Sequence, residues 1–231
     1  LEDVPVDVLT NILLNHVISG SVLSSDLSTG YANTLATSSA SQTSMSIYID
    51  VSNGVNFNGV SSVTSADILA VNGVIHQVDA VIGLPSVVTF ATADPNFSTL
   101  VSALTRNDLT TDFISILSTT TGTSPAPFTV FAPINDAFNR LLTELNLTSL
   151  SEIDEPTLDI VLKYHVVGGA NVLDSSLTDD LTVSTLGGDI TANVTGGATL
   201  TDANGRIADI IVTNVQANNG VIHAINKVIL P

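Results

Sequence analysis

Hydrophobic positions follow two different periods along the chain. In the stretch Ser86–Ser149, Phe97, Leu100, Val101 and Leu104 form a helical stripe behind Asp94-Pro95, an N-cap followed by a proline in the first turn. Phe128–Pro133 (FTVFAP) is a short β-rich run closed by proline, after which Asn135-Asp136 are expected to cap a helix carrying Phe138, Leu141 and Leu142. Asp154-Glu155-Pro156 opens a further helix, with Leu158, Val161, Leu162 and His165 at i, i+3, i+4 and i+7. Beyond Gly168-Gly169 the pattern becomes short Val/Ile/Thr segments divided by Gly187-Gly188, Gly196-Gly197, Asn204-Gly205 and Asn219-Gly220. Those segments predict antiparallel strands, some joined as hairpins. Helices precede strands, so the predicted class is α+β rather than alternating βαβ.

The same text occurs twice. NGVIHQVDAVIGLP (Asn72–Pro85) returns as NGVIHAINKVILP (Asn219–Pro231), and LEDVPVDVLTNILLNHVISG (Leu1–Gly20) aligns with LSEIDEPTLDIVLKYHVVGG (Leu150–Gly169). The separation of His16 from His165 nearly equals that of His76 from His223, so order and spacing are both kept. Residues 1–85 are expected to be the C-terminal part of one domain and residues 86–231 a complete second copy. The first copy has no counterpart of Ser86–Ser149.

Hydrophobic residues make up 44% of the 231, enough for a sizeable core. The 22 acids outnumber 5 bases, and the net charge of −17 disfavours nucleic acid and anionic membrane surfaces as partners. Cysteine is absent, which removes disulfides, zinc-thiolate sites and cysteine nucleophiles. No apolar run reaches the ~18 residues of a membrane helix. The chain opens on Leu1 and has one methionine, Met45, so a removed leader or a fragment is expected.

FTVFAPINDAF (Phe128–Phe138), VLKYHV (Val161–Val166) and NGVIHAINKVILP, in this order, resemble the boxes of the fasciclin-like (FAS1) domain family. For residues 86–231 the resemblance covers the whole copy. For residues 1–85 it covers the latter part, with Asn15 in place of the tyrosine and the first box missing. The resemblance implies a wedge, a compact β-sandwich with helices packed on one side. It also implies a non-catalytic, secreted or cell-surface role in adhesion and protein contact. In animal relatives the Tyr-His region is associated with integrin-dependent adhesion, which makes Tyr164 and His165 candidate contact residues. Asp67-Ile68 resembles the family's Asp-Ile motif, where the second copy has Asn214-Val215. Some fasciclin-like proteins bind carotenoids, so the alternative reading is a carrier of a small apolar ligand. Few aromatics, seven Phe and three Tyr without Trp, speak against it.

Read bottom-up, the candidate residues are mostly structural. His76 and His223 follow the pairs Asn72-Gly73 and Asn219-Gly220, taken as turns, and alternate onto apolar faces with Val74 and Val78 or Val221 and Ile225. A hydrogen-bonded core histidine is the expectation for both. His165 lies on a helical stripe and Tyr164 one step off it. SEIDE (Ser151–Glu155) complements a helix dipole. Asp174, Asp179, Asp180, Asp202 and Asn204 lack the spacing of a calcium-binding loop, and neither a hydrolase nor a nucleotide-binding motif is present. No cofactor or metal is therefore expected. Asn96, Asn146 and Asn193 are glycosylation sequons, and Ser118–Ser124 reads as a loop. The expected partner is an extracellular or cell-surface protein or matrix component. The unmatched first copy adds one more expectation. Its terminal strand and a helix stripe (Val8, Ile12, and Val4 or Leu1) lack the first box that would cover them, so a missing segment or self-association should complete it.

Overall fold

The computed structural model describes residues 4–231, so the Leu1 end of the first helical stripe lies outside the described residues. A helix α1 (Val6–Leu14) precedes β1 (Gly30–Thr37), β2 (Ser44–Asp50), β3 (Asn56–Phe57), β4 (Ser61–Ala70) and β5 (Gly73–Val78). These pair antiparallel, in sequence order, as a five-stranded sheet with β5 at one edge. Then come α2 (Val87–Ala93), α3 (Ser98–Leu104), α4 (Phe113–Leu117), β6 (Phe128–Pro133), α5 (Asn135–Leu145), α6 (Glu155–Tyr164) and β7 (Val166–Gly168). The chain ends with β8 (Leu181–Thr185), β9 (Gly188–Asn193), β10 (Thr199–Thr201), β11 (Ile207–Ala217) and β12 (Gly220–Ile225). The class is α+β, as the order of helical and strand patterns implied.

The second sheet runs β7-β6-β12-β11-β10-β9-β8, so its last five strands repeat the order of the first sheet and β6 and β7 are the additions. β6 lies parallel to β12, with His223 opposite Phe131 and Gly220 opposite Phe128, and antiparallel to β7 on its other side. A parallel pair requires a long crossover, supplied here by α5 through β11. Every residue of β6 and of β12 is buried.

Two apolar layers flank this sheet. On one face Phe90, Phe97, Leu100, Phe113, Phe138 and Leu158 pack over Phe128, Val130, Val215 and Ile222. On the other, Phe131 and Tyr164 meet Val183, Ile190, Leu200, Ile225 and Ile229. The helices are held at their starts by short polar side chains. Ser86 Oγ accepts from Thr89 N, and Asp94 accepts from Asn96 N ahead of α3. Asp112 accepts from Ser115 N at α4. Asn135 does not cap α5, contrary to expectation: it is already helical, and its Oδ1 accepts from Thr99 N at 2.9 Å, holding the start of α3. Glu155 likewise does more than face a dipole, because its carboxylate accepts from both Thr110 N and Thr110 Oγ1 at 2.9 Å.

The two sheets meet where β2 faces β11. Gln216 N donates to Ser46 Oγ at 3.0 Å, and Ser38 Oγ donates to Ala217 O at 2.7 Å. Tyr31 donates to Asp94 at 3.0 Å and sets its ring edge-on to Phe90, 5.6 Å between centroids. Burial and the neighbouring Asp94 carboxylate push the Tyr31 hydroxyl far above its ordinary range.

Candidate functional site

The four histidines form two matching ties. His165 ends α6 with Nδ1 on Val161 O at 2.7 Å, while Ile229 N donates to its Nε2 at 3.1 Å. His16 repeats this on Ile12 O at 2.8 Å and Ile82 N at 3.0 Å. In the terminal strands, His223 Nε2 lies 2.8 Å from Val172 O and accepts a longer contact, 3.4 Å, from Asn214 N at Nδ1. His76 does the same with Val22 O and Asp67 N, at 3.0 and 3.4 Å. A carbonyl only accepts and a peptide N–H only donates, so this arrangement holds the buried His165 and His223 rings neutral, with one nitrogen protonated. Burial pulls the His165 pKa down to about 4 and lowers that of His223. Protonation would also set an N–H against an N–H.

The Asn-Gly boxes do not work as left-handed turns: neither Asn219 nor Gly220 has a positive φ. Asn219 instead accepts from Val87 N at 3.0 Å and donates to Leu117 O and Thr119 O at 2.8 and 2.9 Å, joining α2 and α4 to the sheet. Gly220 is required by packing, since a Cβ there would run into the Phe128 backbone of β6. In the five-stranded sheet the same box has nothing to hold. A Cβ on Gly73 would meet no atom within 4 Å, and Asn72 is exposed with no side-chain hydrogen bond among the described residues.

Beside β5 lies a cleft of about 420 Å³, walled by Ile18, Leu27, Ile47, Phe57, Val74 and Val78, with His16 and His76 on its rim. It opens between the segment after α1 and the free edge of β5. The equivalent place in the other sheet, between β7 and β12, is filled by β6, whose Phe131 ring stacks on His223 at 5.7 Å.

Comparison with known proteins decides what this duplicated arrangement is. The fasciclin domain profile matches residues 3–85 and again 95–231. The chain belongs to the fasciclin domain family. The "Uncharacterized protein sll1735" of Synechocystis is 36% identical over 151 residues, covering 64% of this chain and 98% of that protein. Human periostin is 28% identical over 96% of this chain, which spans 25% of periostin. Among solved structures, the FAS1 domain pair of the insect cell adhesion molecule Fasciclin I matches 96% of this chain and 79% of its own length. Its TM-score is 0.58 at 18% identity, a likeness of fold.

Within this fasciclin fold the candidate contact residues separate. Tyr164 and His165 are buried, and the Tyr164 hydroxyl donates to Asp189 O at 2.6 Å and accepts from Ala203 N at 3.2 Å. Neither side chain presents contact surface. Sequence periodicity misjudged Tyr164 because the chain leaves the helix there and passes between layers. Asp67 and Ile68 are exposed. Asp67 adopts a left-handed conformation, φ 60°, and its carboxylate accepts from Ser24 N and Ser24 Oγ, which lowers its pKa. Asn214 takes the same conformation and accepts from Asp174 N, so the Asp/Asn position is a backbone clasp in both sheets. Two further acids noted in the sequence are likewise occupied: Asp179 accepts from Val194 N and Thr195 N, and Asp202 from Asn204 N, Arg206 N and Leu230 N. Among the described residues no three His, Asp or Glu side chains converge as a metal site, and no helix is long and apolar enough to cross a membrane.

Proposed function

We propose that the chain is a non-catalytic extracellular module for adhesion and protein contact. It is built of tandem fasciclin domains: residues 1–85 the latter part of one, residues 86–231 a complete second. The observation that carries this reading is the double family match, joined to histidines that are each tied to backbone groups. The solved FAS1 domain pair with a like fold, named for an insect cell adhesion molecule, supports the same reading. Of the candidate contacts, Asp67 and Ile68 on the exposed β4–β5 hairpin are the ones a matrix or cell-surface protein can reach. Immobilised protein should support attachment of cells or matrix proteins well above its heat-unfolded form, and Ile68→Asp should reduce it. Attachment equal to an inert protein coat refutes the reading.

The apolar cleft beside β5 favours a second reading, a carrier of a small apolar ligand, since its volume falls within the few-hundred-Å³ range of ligand pockets. The protein purified from its natural source separates the two. Adhesion predicts no visible absorption band and no co-purifying carotenoid or lipid by mass spectrometry, whereas a stoichiometric chromophore establishes the carrier.

A further inference from the structure

We propose that Asn53, in the connection between β2 and β3, is a site of spontaneous deamidation, a slow chemical clock built into the first copy. The Gly54 nitrogen attacks the Asn53 side-chain carbonyl carbon. The carbon–nitrogen bond of the carboxamide breaks, and ammonia leaves with the proton that Gly54 gives up. The succinimide ring so formed takes up one water and opens to aspartate or isoaspartate. Water is the only co-reactant, and nothing is oxidised or reduced.

Five Asn-Gly pairs in the chain meet the sequence requirement, a following residue with no Cβ to hinder the attack. The fold separates them. Asn219 is buried, and its carboxamide is bonded to Val87 N, Leu117 O and Thr119 O. Asn58 is also buried, and its Oδ1 accepts from Tyr48 N at 2.8 Å. At Asn204 the attacking nitrogen is engaged: Gly205 N donates to Asp202 O at 3.0 Å, and the carboxamide itself donates to Pro231 O at 3.0 Å. Asn72 is exposed, but Gly73 is fixed in the β4–β5 ladder opposite Ala70.

Asn53 carries none of these restraints. It is exposed, and no hydrogen bond holds its carboxamide among the described residues; only its main-chain carbonyl is engaged, by Asn56 Nδ2 at 3.3 Å. Gly54 lies between β2 and β3 rather than in either strand. Its backbone is left-handed, φ 77°, and a Cβ there would meet no atom within 4 Å, so the nitrogen has room to turn onto the side chain. The openness belongs to the turn itself. In the second copy Val194-Thr195-Gly196-Gly197 takes the place of Val51-Ser52-Asn53-Gly54, and a Cβ on Gly196 or Gly197 likewise meets nothing, with all of that copy's helices present. Glycine stands there where the first copy has the reactive carboxamide. The reaction adds a carboxylate close to Asp50, whose own carboxylate accepts from Ser52 N at 2.9 Å, and isoaspartate lengthens the main chain of the turn by one carbon.

The test uses the full chain, kept folded in mildly alkaline buffer, then unfolded and digested with chymotrypsin, which cuts after Tyr48 and Phe57. The proposal expects the peptide Ile49–Phe57 to gain about 1 Da in two chromatographic forms, aspartate and isoaspartate, and to take up heavy oxygen from labelled water. Asn53 should convert about tenfold or more faster than Asn58 and Asn219, and ahead of Asn72 and Asn204. In urea, where the fold restrains none of the five, their rates should draw together. Asn53→Gln, whose longer side chain disfavours the five-membered ring, should keep the parent melting temperature and remove the first acidic form seen by isoelectric focusing. Conversion of Asn53 no faster than that of Asn219 in the folded chain, or a lead by Asn72 or Asn204, overturns the proposal. So does a first acidic form that persists in Asn53→Gln, or a spread of rates that survives in urea.

Discussion

Replacing His223 by alanine removes a ring that is 0% exposed, bonded through Nε2 to Val172 O at 2.8 Å and stacked on Phe131. Two costs follow. Val172 O, in a half-buried segment, loses its donor, which costs about 1–3 kcal/mol. The vacated ring volume, walled by β6, cannot collapse freely and adds about 1–2 kcal/mol. The expected destabilisation is therefore about 2–5 kcal/mol, or a melting temperature lower by roughly 4–20 °C for a chain of this size. His76→Ala is the internal control. Its ring makes the same bond, to Val22 O at 3.0 Å, but borders the open cleft, where water can replace the donor and no cavity is sealed. Its cost should be about 1 kcal/mol. Urea unfolding of both full-length variants, followed by circular dichroism, measures the difference. Equal costs, or a loss at His223 below about 1 kcal/mol, would refute the argument that β6 is what makes the second histidine expensive.

Three further outcomes are expected. Because burial holds His165 at about 4 in the folded chain, below its ordinary 6.5, the neutral ring stabilises the fold fully above pH 6.5; that contribution, about 3 kcal/mol, is lost as pH falls toward 4. A urea midpoint unchanged between pH 7 and 4.5 contradicts this. Gly220→Ala forces a methyl into the Phe128 backbone and should cost about 2 kcal/mol or more, whereas Gly73→Ala should be neutral within about 0.5 kcal/mol in thermal melts. Tyr164→Phe loses a buried hydroxyl bonded to Asp189 O and should cost about 1–2 kcal/mol while leaving adhesion of the folded protein unchanged. Reduced adhesion at full folding would restore Tyr164 as a contact.

The duplicated text and the glycine-marked turns made the antiparallel strands and the α+β order legible, because turn residues and alternation act locally. That the terminal strand lies against the first box was expected, but the parallel direction and register of β6 on β12 were not legible. Both strands are buried on both faces, so neither alternates, and nothing in FTVFAP states in which direction or register it pairs. The Asn-Gly pairs do stand at hairpin turns, where Ala217 pairs with Gly220 and Ala70 with Gly73, but the turn is not all that they serve. Their true constraints, the helix ends held by Asn219 and the backbone pressed on Gly220, come from residues a hundred positions away. Asp67 was legible as a special position but not as a clasp, since its left-handed backbone and the Ser24 contacts arise only once the loop after α1 has folded back over β4.

The position where the two copies differ most in chemistry also explains how they are joined. Tyr164 presses so closely on the β8–β9 turn that a Cβ on Gly187 would sit 2.6 Å from Tyr164 N, and one on Gly188 would sit 3.1 Å from the ring; that turn must stay tight and bare. In the first copy Asn15 takes this place. Its carboxamide accepts from Thr34 Oγ1 at 3.1 Å and donates to Gly83 O at 2.9 Å, reaching inward instead of against a turn. Without the phenol ring, the β1–β2 connection needs no glycine pair, and residues 38–43 form a longer, hydroxyl-rich loop. That loop carries Ser38, which donates to Ala217 O, and Ser39, which donates to Asn218 Oδ1 at 3.1 Å. The copy with Asn15 at the helix end thus carries a longer hairpin loop, and that loop binds the terminal turn of the neighbouring sheet.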